Sequence, residues 1–225
     1  MEKPPKEVTE EDLERLEANV QISDFKKNKL EIDAKKNWDI FYKRNTTNFF
    51  KDRQWTTREF EELCDVEDEN KEITLLEVGC GVGNFVLPLL EKNKNAFIYA
   101  CDFSPRAVKF LQDNPIYEAS DRCKTFECDV TKDSLSETVQ PNSVDIASLI
   151  FVLSAIHPEK MLYSIENIYK VLKPGGILIF RDYGLYDHAM LRFAPNKKLD
   201  ENLYVRQDGT RSYFFTTGIL KILIR

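Results

Sequence analysis

The residues best suited to chemistry lie in the middle of the chain. Glu77-Val78-Gly79-Cys80-Gly81-Val82-Gly83-Asn84 joins an apolar run, Ile73–Val78, to a stretch of helical spacing, Phe85–Leu90. Glycines let a backbone turn tightly and approach a ligand closely. Three later apolar runs each lead to an acid: Ala96–Cys101 to Asp102, Cys123–Cys128 to Asp129, and Ile177–Phe180 to Arg181-Asp182. Ionised carboxylates accept hydrogen bonds from hydroxyls and amines. Together these features suit a ligand held beyond the carboxyl ends of parallel strands. Other chemistries find little support. The five cysteines (Cys64, Cys80, Cys101, Cys123, Cys128) form no C-x-x-C pair, and only His157 and His188 supply imidazole, so no metal site is expected.

The elements that must position these residues follow from periodicity. The short apolar runs read as buried strands, and Val144–Leu153 reads as a further, continuous one. Pro105–Gln112 reads as a helix, with Ser104 as its cap and Pro105 at its first position. Met161, Ile165, Ile168 and Leu172 share one helix face, and Lys173-Pro174-Gly175-Gly176 is expected to stop that helix. Strands alternating with helices predict an α/β fold with a mainly parallel sheet flanked by helices. Upstream, residues 1–22 read as a mobile segment. A basic helical pattern runs from Ser23 to about Arg44 with Phe25, Leu30, Trp38, Phe41 and Tyr42 as apolar members. Thr56 and Glu59 have capping-box spacing for a helix to about Cys64, and Asp65–Lys71 reads as an acidic linker. Downstream, 184–216 reads as a long loop or lid with short strands.

Two cofactor readings compete for the glycine loop. A dinucleotide fingerprint is G-x-G-x-x-G, with a helix N-terminus facing a pyrophosphate. Here the spacing is G-x-G-x-G, preceded by Glu77, which favours S-adenosylmethionine, a ligand without phosphate. In that reading Glu77, Gly79, Gly81 and Gly83 form the cofactor loop, Asp102 accepts from the ribose hydroxyls and Asp129 from the adenine amine. The fold expected is then that of a Rossmann-like class I S-adenosylmethionine-dependent methyltransferase.

Composition bounds the rest. The chain has 225 residues, 42% of them hydrophobic and 31% charged, and a net charge of −6. No apolar run approaches the ~20 residues of a membrane span. Without a leader-like N-terminus, and with an odd number of cysteines, a cytoplasmic or nuclear location and no membrane partner are expected. The acidic balance gives no global signature of nucleic-acid binding, although a local basic patch would suffice.

Several blocks carry a resemblance. Asn37-Trp38-Asp39-Ile40-Phe41-Tyr42-Lys43-Arg44-Asn45 is followed by Asn48-Phe49-Phe50-Lys51-Asp52-Arg53. Cys101–Ala107, Phe151–Pro158 and Arg181–His188 are equally distinctive. From about Ser23 to Thr216 the chain resembles the transfer-RNA 3-methylcytidine methyltransferases, which act on the anticodon loop at position 32. The resemblance implies that Trp38 and Tyr42 close over the cofactor and that Gly79, Asp102, Asp129, Val130 and Ile150 line its site. It implies that RNA is bound by the segments before the first strand and after the fifth, that serine-type tRNAs are the substrates, and that an aminoacyl-tRNA synthetase such as seryl-tRNA synthetase is a candidate helper. Phe49, Phe50, Tyr204, Tyr213, Phe214 and Phe215 are candidate stacking surfaces. Lys43, Arg44, Lys51, Arg53, Arg192, Lys197, Lys198, Arg206 and Arg211 are candidate phosphate contacts. Cytosine N3 needs no strong base, but methylation leaves a cationic ring, which a carboxylate would stabilise. Asp182 is the first candidate for that role and Asp187 the second.

The organisation expected is a mobile segment (1–22), a helical extension that covers cofactor and binds RNA (23–70), a methyltransferase core (71–183), a substrate-binding insertion (184–216) and an atypical tail (217–225). The tail, Thr217–Arg225, departs from the resemblance. The sheet is therefore expected to lack its last strands, leaving an exposed edge and apolar face, with lower stability and weak RNA methylation. Two other readings stay open: a chain that binds cofactor without acting productively on RNA, and a methyltransferase for a protein or small molecule.

Overall fold

The computed structural model describes residues 8–18, 22–63 and 72–224. The expected linker at 65–71, Cys64, Val20 and the first seven residues lie outside them.

Thr9 caps α1 (Glu10–Glu17), its side chain accepting from the Asp12 amide while the Asp12 carboxylate accepts from the Thr9 amide. This reciprocal pairing satisfies donors that a helix end leaves free. Leu16 is buried against Met190, Leu191, Tyr204 and Phe214, and Arg15 donates to the Leu191 carbonyl. Within the segment expected to be mobile, residues 8–18 thus dock on the body of the protein through one leucine and one arginine. The single helix expected over 23–44 is divided into α2 (Asp24–Ile32) and α3 (Ala34–Asn45). Asp33 interrupts it at φ −84°, ψ 4°, consistent with the poor helix propensity of aspartate. Thr56 is not the cap expected. Trp55 occupies the cap position of α4 (Thr56–Glu59), and the Thr56 hydroxyl donates to the Arg53 carbonyl at 2.8 Å. A 3-10 turn, Glu61–Leu63, follows in place of a longer helix.

The core alternates as β1 (Ile73–Val78), α5 (Val86–Lys92), β2 (Ala96–Asp102), α6 (Pro105–Gln112), α7 (Pro115–Glu118), β3 (Cys123–Glu127), β4 (Val144–Ile150), α8 (Pro158–Val171) and β5 (Leu172–Arg181). The five strands are all parallel, in the order β3-β2-β1-β4-β5. This is the α/β methyltransferase architecture expected. Strand periodicity divides β1 between two cores. Leu76 and Val78 join Cys101, Leu149 and the α8 residues Met161, Ile165 and Ile168. Ile73 and Leu75 join Ile98, Ile146 and the α5 residues Val86, Leu89 and Leu90. Ser104 caps α6, accepting from the Ala107 amide, with Pro105 in the first turn.

Two boundaries differ from expectation. β4 ends at Ile150, because Phe151 takes φ +57° and a 3-10 turn, Leu153–Ala155, follows. Helix α8 ends at Val171, before Lys173-Pro174-Gly175-Gly176, which lies within the span of β5. There Val144 pairs with Leu172 and Ile146 with Ile177. The tetrapeptide is thus accommodated as a bulge, where proline's missing N–H costs no ladder bond.

Beyond the sheet come α9 (His188–Leu191), β6 (Lys198–Asp200), β7 (Leu203–Val205), β8 (Arg211–Tyr213) and α10 (Thr217–Leu223). The short strands expected in this stretch are present, and they pair as an antiparallel sheet. The atypical tail forms a helix, with Thr216 as its cap. Its Ile219, Leu220 and Leu223 rest on the cluster that also receives Leu178 and Phe180 of β5, so part of the face expected to lie bare is covered. Among the described residues β5 pairs only with β4, and no helix is long and apolar enough to cross a membrane.

Candidate active site

Strand order reverses between β1 and β4, and ligands of open α/β sheets bind in the crevice opened at such a point. A cavity of about 340 Å³ lies there, within the usual size range of small-ligand sites. Each strand from β1 to β4 contributes to it through the residues at or just after its carboxyl end: Val78 and Gly79, Asp102 and Phe103, Cys128 to Lys132, and Phe151 and Val152. Trp38 and Tyr42 of α3 and Glu31 and Ile32 of α2 also line it.

The glycines are required by contact as well as by turn geometry. Gly79 and Gly81 adopt φ +68° and +54°, and a Cβ on Gly79 would stand 2.6 Å from a Val152 methyl. One on Gly81 would stand 2.8 Å from the Tyr42 hydroxyl. The loop is therefore packed between β4's exit and α3 with no room for a side chain.

Asp102 is held rigidly. One carboxylate oxygen accepts from the Gly81 amide and the other from the Ser104 amide, each at 2.9 Å. Burial pushes its carboxyl up to about 6, opposed by the bonds from Ser104, Gly81 and Phe103. It is ionised at neutral pH and keeps lone pairs for a ligand's hydroxyls. Asp129 accepts from the Thr131 amide and hydroxyl at 3.1 and 2.6 Å, and Lys132 stands 3.3 Å from its other oxygen. Val130 adds an apolar wall. Fixed carboxylates beside apolar surface suit the ribose and base of a nucleoside, so the donor set fits S-adenosylmethionine.

The roof is stitched down by polar contacts that sequence reading did not foresee. Glu31 pairs with Lys160 at 2.5 Å and with the buried Arg211. Burial raises the Glu31 carboxyl, but its bonds to Lys160 and Arg211 prevail and leave it below its ordinary value. Lys35 pairs with Glu127. Asp39 accepts from the Ser104 hydroxyl at 3.0 Å and from Arg106 at 3.2 Å, and Asn37 donates to the Gly209 carbonyl at 3.1 Å.

Six expected cofactor residues therefore meet at the cavity: Trp38, Tyr42, Gly79, Asp102, Asp129 and Val130. Four do not reach its wall: Glu77, Gly81, Gly83 and Ile150. Gly81 and Gly83 shape the loop behind it. Ile150 belongs to the core on the α5 side of the sheet. Glu77 falls on that same side by strand alternation and is 1% exposed. Its Oε2 has no partner, and Arg53 stands 3.6 Å from Oε1. That separation is too long for a hydrogen bond. Burial therefore prevails over Arg53 and pushes the carboxyl up to about 8. Sequence reading missed Glu31, Phe151, Val152, Thr131 and Ile156. Their available signal was position directly after a strand or opposite one. Phe151 also holds a positive φ, a strained state that clusters at functional sites.

Asp182 sits just past β5, accepting from the Ser154 amide at 2.9 Å and the Tyr183 amide at 3.0 Å. Burial pushes its carboxyl up to about 6, opposed by Ser154, the Tyr183 amide and the charge of Arg206. It is not among the residues lining the cavity. Asp187 is exposed and caps α9 by accepting from the Ala189 amide at 2.9 Å, a structural duty.

The candidate RNA residues divide sharply. Phe49 is 58% and Phe50 36% exposed, and Lys43, Arg44, Lys51 and Arg192 are exposed. Tyr204, Tyr213, Phe214 and Phe215 are at most 6% exposed, packed in cores, and offer no stacking face. Arg211 is spent on Glu31, and Arg206 lies 5.8 Å from the Tyr183 ring centroid and donates to the Tyr183 hydroxyl. Arg53 is half-buried between Glu77 and Phe151. Among the described residues no group of histidine, cysteine or acidic side chains could hold a metal.

Comparison with known proteins agrees with this fold. Residues 76–178 match a methyltransferase domain family. The chain is 61% identical over 215 residues to the human tRNA N(3)-cytidine methyltransferase METTL6, spanning 95% of this chain and 75% of that protein. It is 40% identical over 225 residues to the tRNA(Thr) (cytosine(32)-N(3))-methyltransferase of Saccharomyces cerevisiae, spanning 94% of this chain and 35% of that protein. In fold it is similar to Haemonchus contortus phosphoethanolamine N-methyltransferase 1, solved with S-adenosylhomocysteine (TM-score 0.57, 16% identity, 86% of this chain and 40% of that one).

Proposed function

The chain belongs to the tRNA N(3)-cytidine methyltransferases, and from that premise we propose that it methylates N3 of a cytidine in the anticodon loop of tRNA. The observation that carries this reading is the cavity at the reversal of strand order, walled by Asp102 and Asp129 and roofed by Trp38 and Tyr42, with exposed aromatic and basic residues immediately after the roof helix.

S-adenosylmethionine, when bound, supplies an electrophilic methyl group. Gly79, Asp102, Asp129, Val130, Trp38 and Tyr42 would hold it. Cytosine N3 presents an in-plane lone pair and is unprotonated at neutral pH, so the chain need not remove a proton there. Its work is to orient the base and exclude water, and to stabilise the positive charge that develops on the ring. Asp182 is our candidate for that charge, pinned by two amides and ionised above about pH 6. An unpaired loop lowers the cost of presenting a single base, and RNA readers favour such loops. Serine-type tRNAs, a seryl-tRNA synthetase helper and a cytoplasmic or nuclear location follow from the sequence resemblance and belong to the same proposal.

Transfer of labelled methyl groups to tRNA transcripts, with cofactor binding measured on the same preparation, tests this function. Asp182→Asn should lower turnover about 10²–10³-fold with cofactor affinity kept, and should remove an acidic limb near pH 6 from the rate profile. Near-normal turnover of this variant would remove Asp182 from the mechanism.

A further inference from the structure

Thr46–Arg53 leaves α3 and returns to the glycine loop. It departs through Thr46 at φ +50°, an unfavourable conformation for a β-branched residue. Both ends are anchored on the same loop. At the near end the Tyr42 hydroxyl lies where a Cβ on Gly81 would be 2.8 Å away. At the far end the Asn84 side-chain amide donates to the Phe50 carbonyl at 3.2 Å and to the Asp52 carboxylate at 3.1 Å. The Arg53 amide donates to the Asn84 carbonyl at 2.7 Å. Asn84 is 8% exposed and does not line the cavity. Between the anchors Phe49, Phe50 and Lys51 face solvent. The segment that presents an aromatic and basic surface is thus a strap held at both ends by the loop beneath the cofactor site.

We propose that Asn84 is a positioning residue that transmits occupancy of the cofactor site to this strap, so that cofactor and RNA strengthen each other's binding. Cofactor contacts on the glycine loop favour the loop arrangement in which Asn84 seats the strap, and a ligand on the strap favours the same arrangement. Linkage makes the effect reciprocal. This rests on the reading of the exposed strap as an RNA surface, developed above.

The test uses the full chain, S-adenosylhomocysteine as an unreactive probe and an unmodified tRNA transcript. For the native chain the probe should raise tRNA affinity by about fivefold or more and slow hydrogen exchange across Phe50–Arg53. Asn84→Ala should bind the probe in the absence of RNA yet lose both effects, and its kcat/KM for tRNA should fall while KM for cofactor is kept. Asp52→Ala, at an exposed position, removes one of the two amide bonds and should weaken the coupling partway, which keeps the test open should Asn84→Ala fail to fold. If both variants kept the native affinity gain and exchange protection, the proposal would be overturned. Protection of the strap by the probe, lost in Asn84→Ala, but without any tRNA binding by the native chain, would support the linkage and overturn the RNA reading.

Discussion

The strap after α3 and the antiparallel sheet β6-β7-β8 contain the same residue types, aromatics interleaved with basic side chains, yet they serve different ends. In the strap Phe49, Phe50 and Lys51 face solvent above a buried anchor at Asn84. In the small sheet Tyr204, Tyr213 and the adjoining Phe214 and Phe215 are buried, and Arg211 is bound to Glu31 of the roof. Basic and aromatic residues supply an RNA surface only when the fold leaves them uncovered. In the small sheet the same rings go inside, Tyr213 and Phe215 onto the main core and Tyr204 and Phe214 onto a smaller cluster with Leu16, Met190 and Leu191, because fully burying one yields more than leaving it exposed. The second region supports the site from behind: it clasps the roof through Arg211–Glu31 and Gly209–Asn37.

This contrast can be broken most directly at Phe214, which has no exposed surface. Phe214→Ala should cost about 3–5 kcal/mol of stability, read by denaturant unfolding, and should disturb RNA binding only through that loss. A stable variant with selectively weakened RNA binding would move this sheet into the interface. Next in size is a pH effect at the anchor of the strap. Glu77 titrates near 4.5 when unfolded and near 8 when folded. The native state therefore binds the extra proton between those values, and stability falls as pH rises through that window, by up to about 1 kcal/mol per pH unit from this group. Glu77→Gln cannot ionise, so thermal unfolding of the variant should lose that part of the slope and gain on the native chain toward pH 8. Parallel curves would mean that Arg53 keeps Glu77 ionised.

Phe50→Ala should weaken tRNA binding by about 1–3 kcal/mol, measured at a temperature where unfolding shows the variant fully folded, because the ring is 36% exposed and also packs against Phe41 and Phe49. A shift in unfolding with no change in RNA affinity would make the strap's aromatics structural too. The smallest effect is expected for Lys51→Gln, which should lower the slope of log affinity against log salt by about one. An unchanged slope would take Lys51 out of the phosphate-contacting set.

The central sheet was legible because its signals are local. Five apolar runs read as strands are divided by helical spacing, and Ser104-Pro105 marks a helix start that the structure keeps. The acids at strand ends were legible for the same reason, and Asp102 and Asp129 do reach the cavity. Glu77 looked equivalent in the chain, but strand alternation turns it to the other face, a consequence visible only once the sheet's two cores are known. The apolar run Ser148–Leu153 hides the backbone inversion at Phe151 that ends β4 and helps form the site. Strands β6, β7 and β8 are three residues each, too short for periodicity to separate an inward ring from an outward one. The roof's contacts join residues such as Glu31 and Arg211, which are remote in the chain and whose meeting no local pattern announces.

The central claim is that this folded chain, with its roofed cavity and exposed strap, places a methyl group on N3 of an anticodon-loop cytidine. Nucleoside mass spectrometry of a tRNA transcript incubated with the chain and S-adenosylmethionine tests it most directly, beside a transcript with uridine in place of cytidine at position 32. The prediction is 3-methylcytidine in the first and none in the second. Cofactor binding without 3-methylcytidine in either transcript, or equal methylation of both, would contradict it.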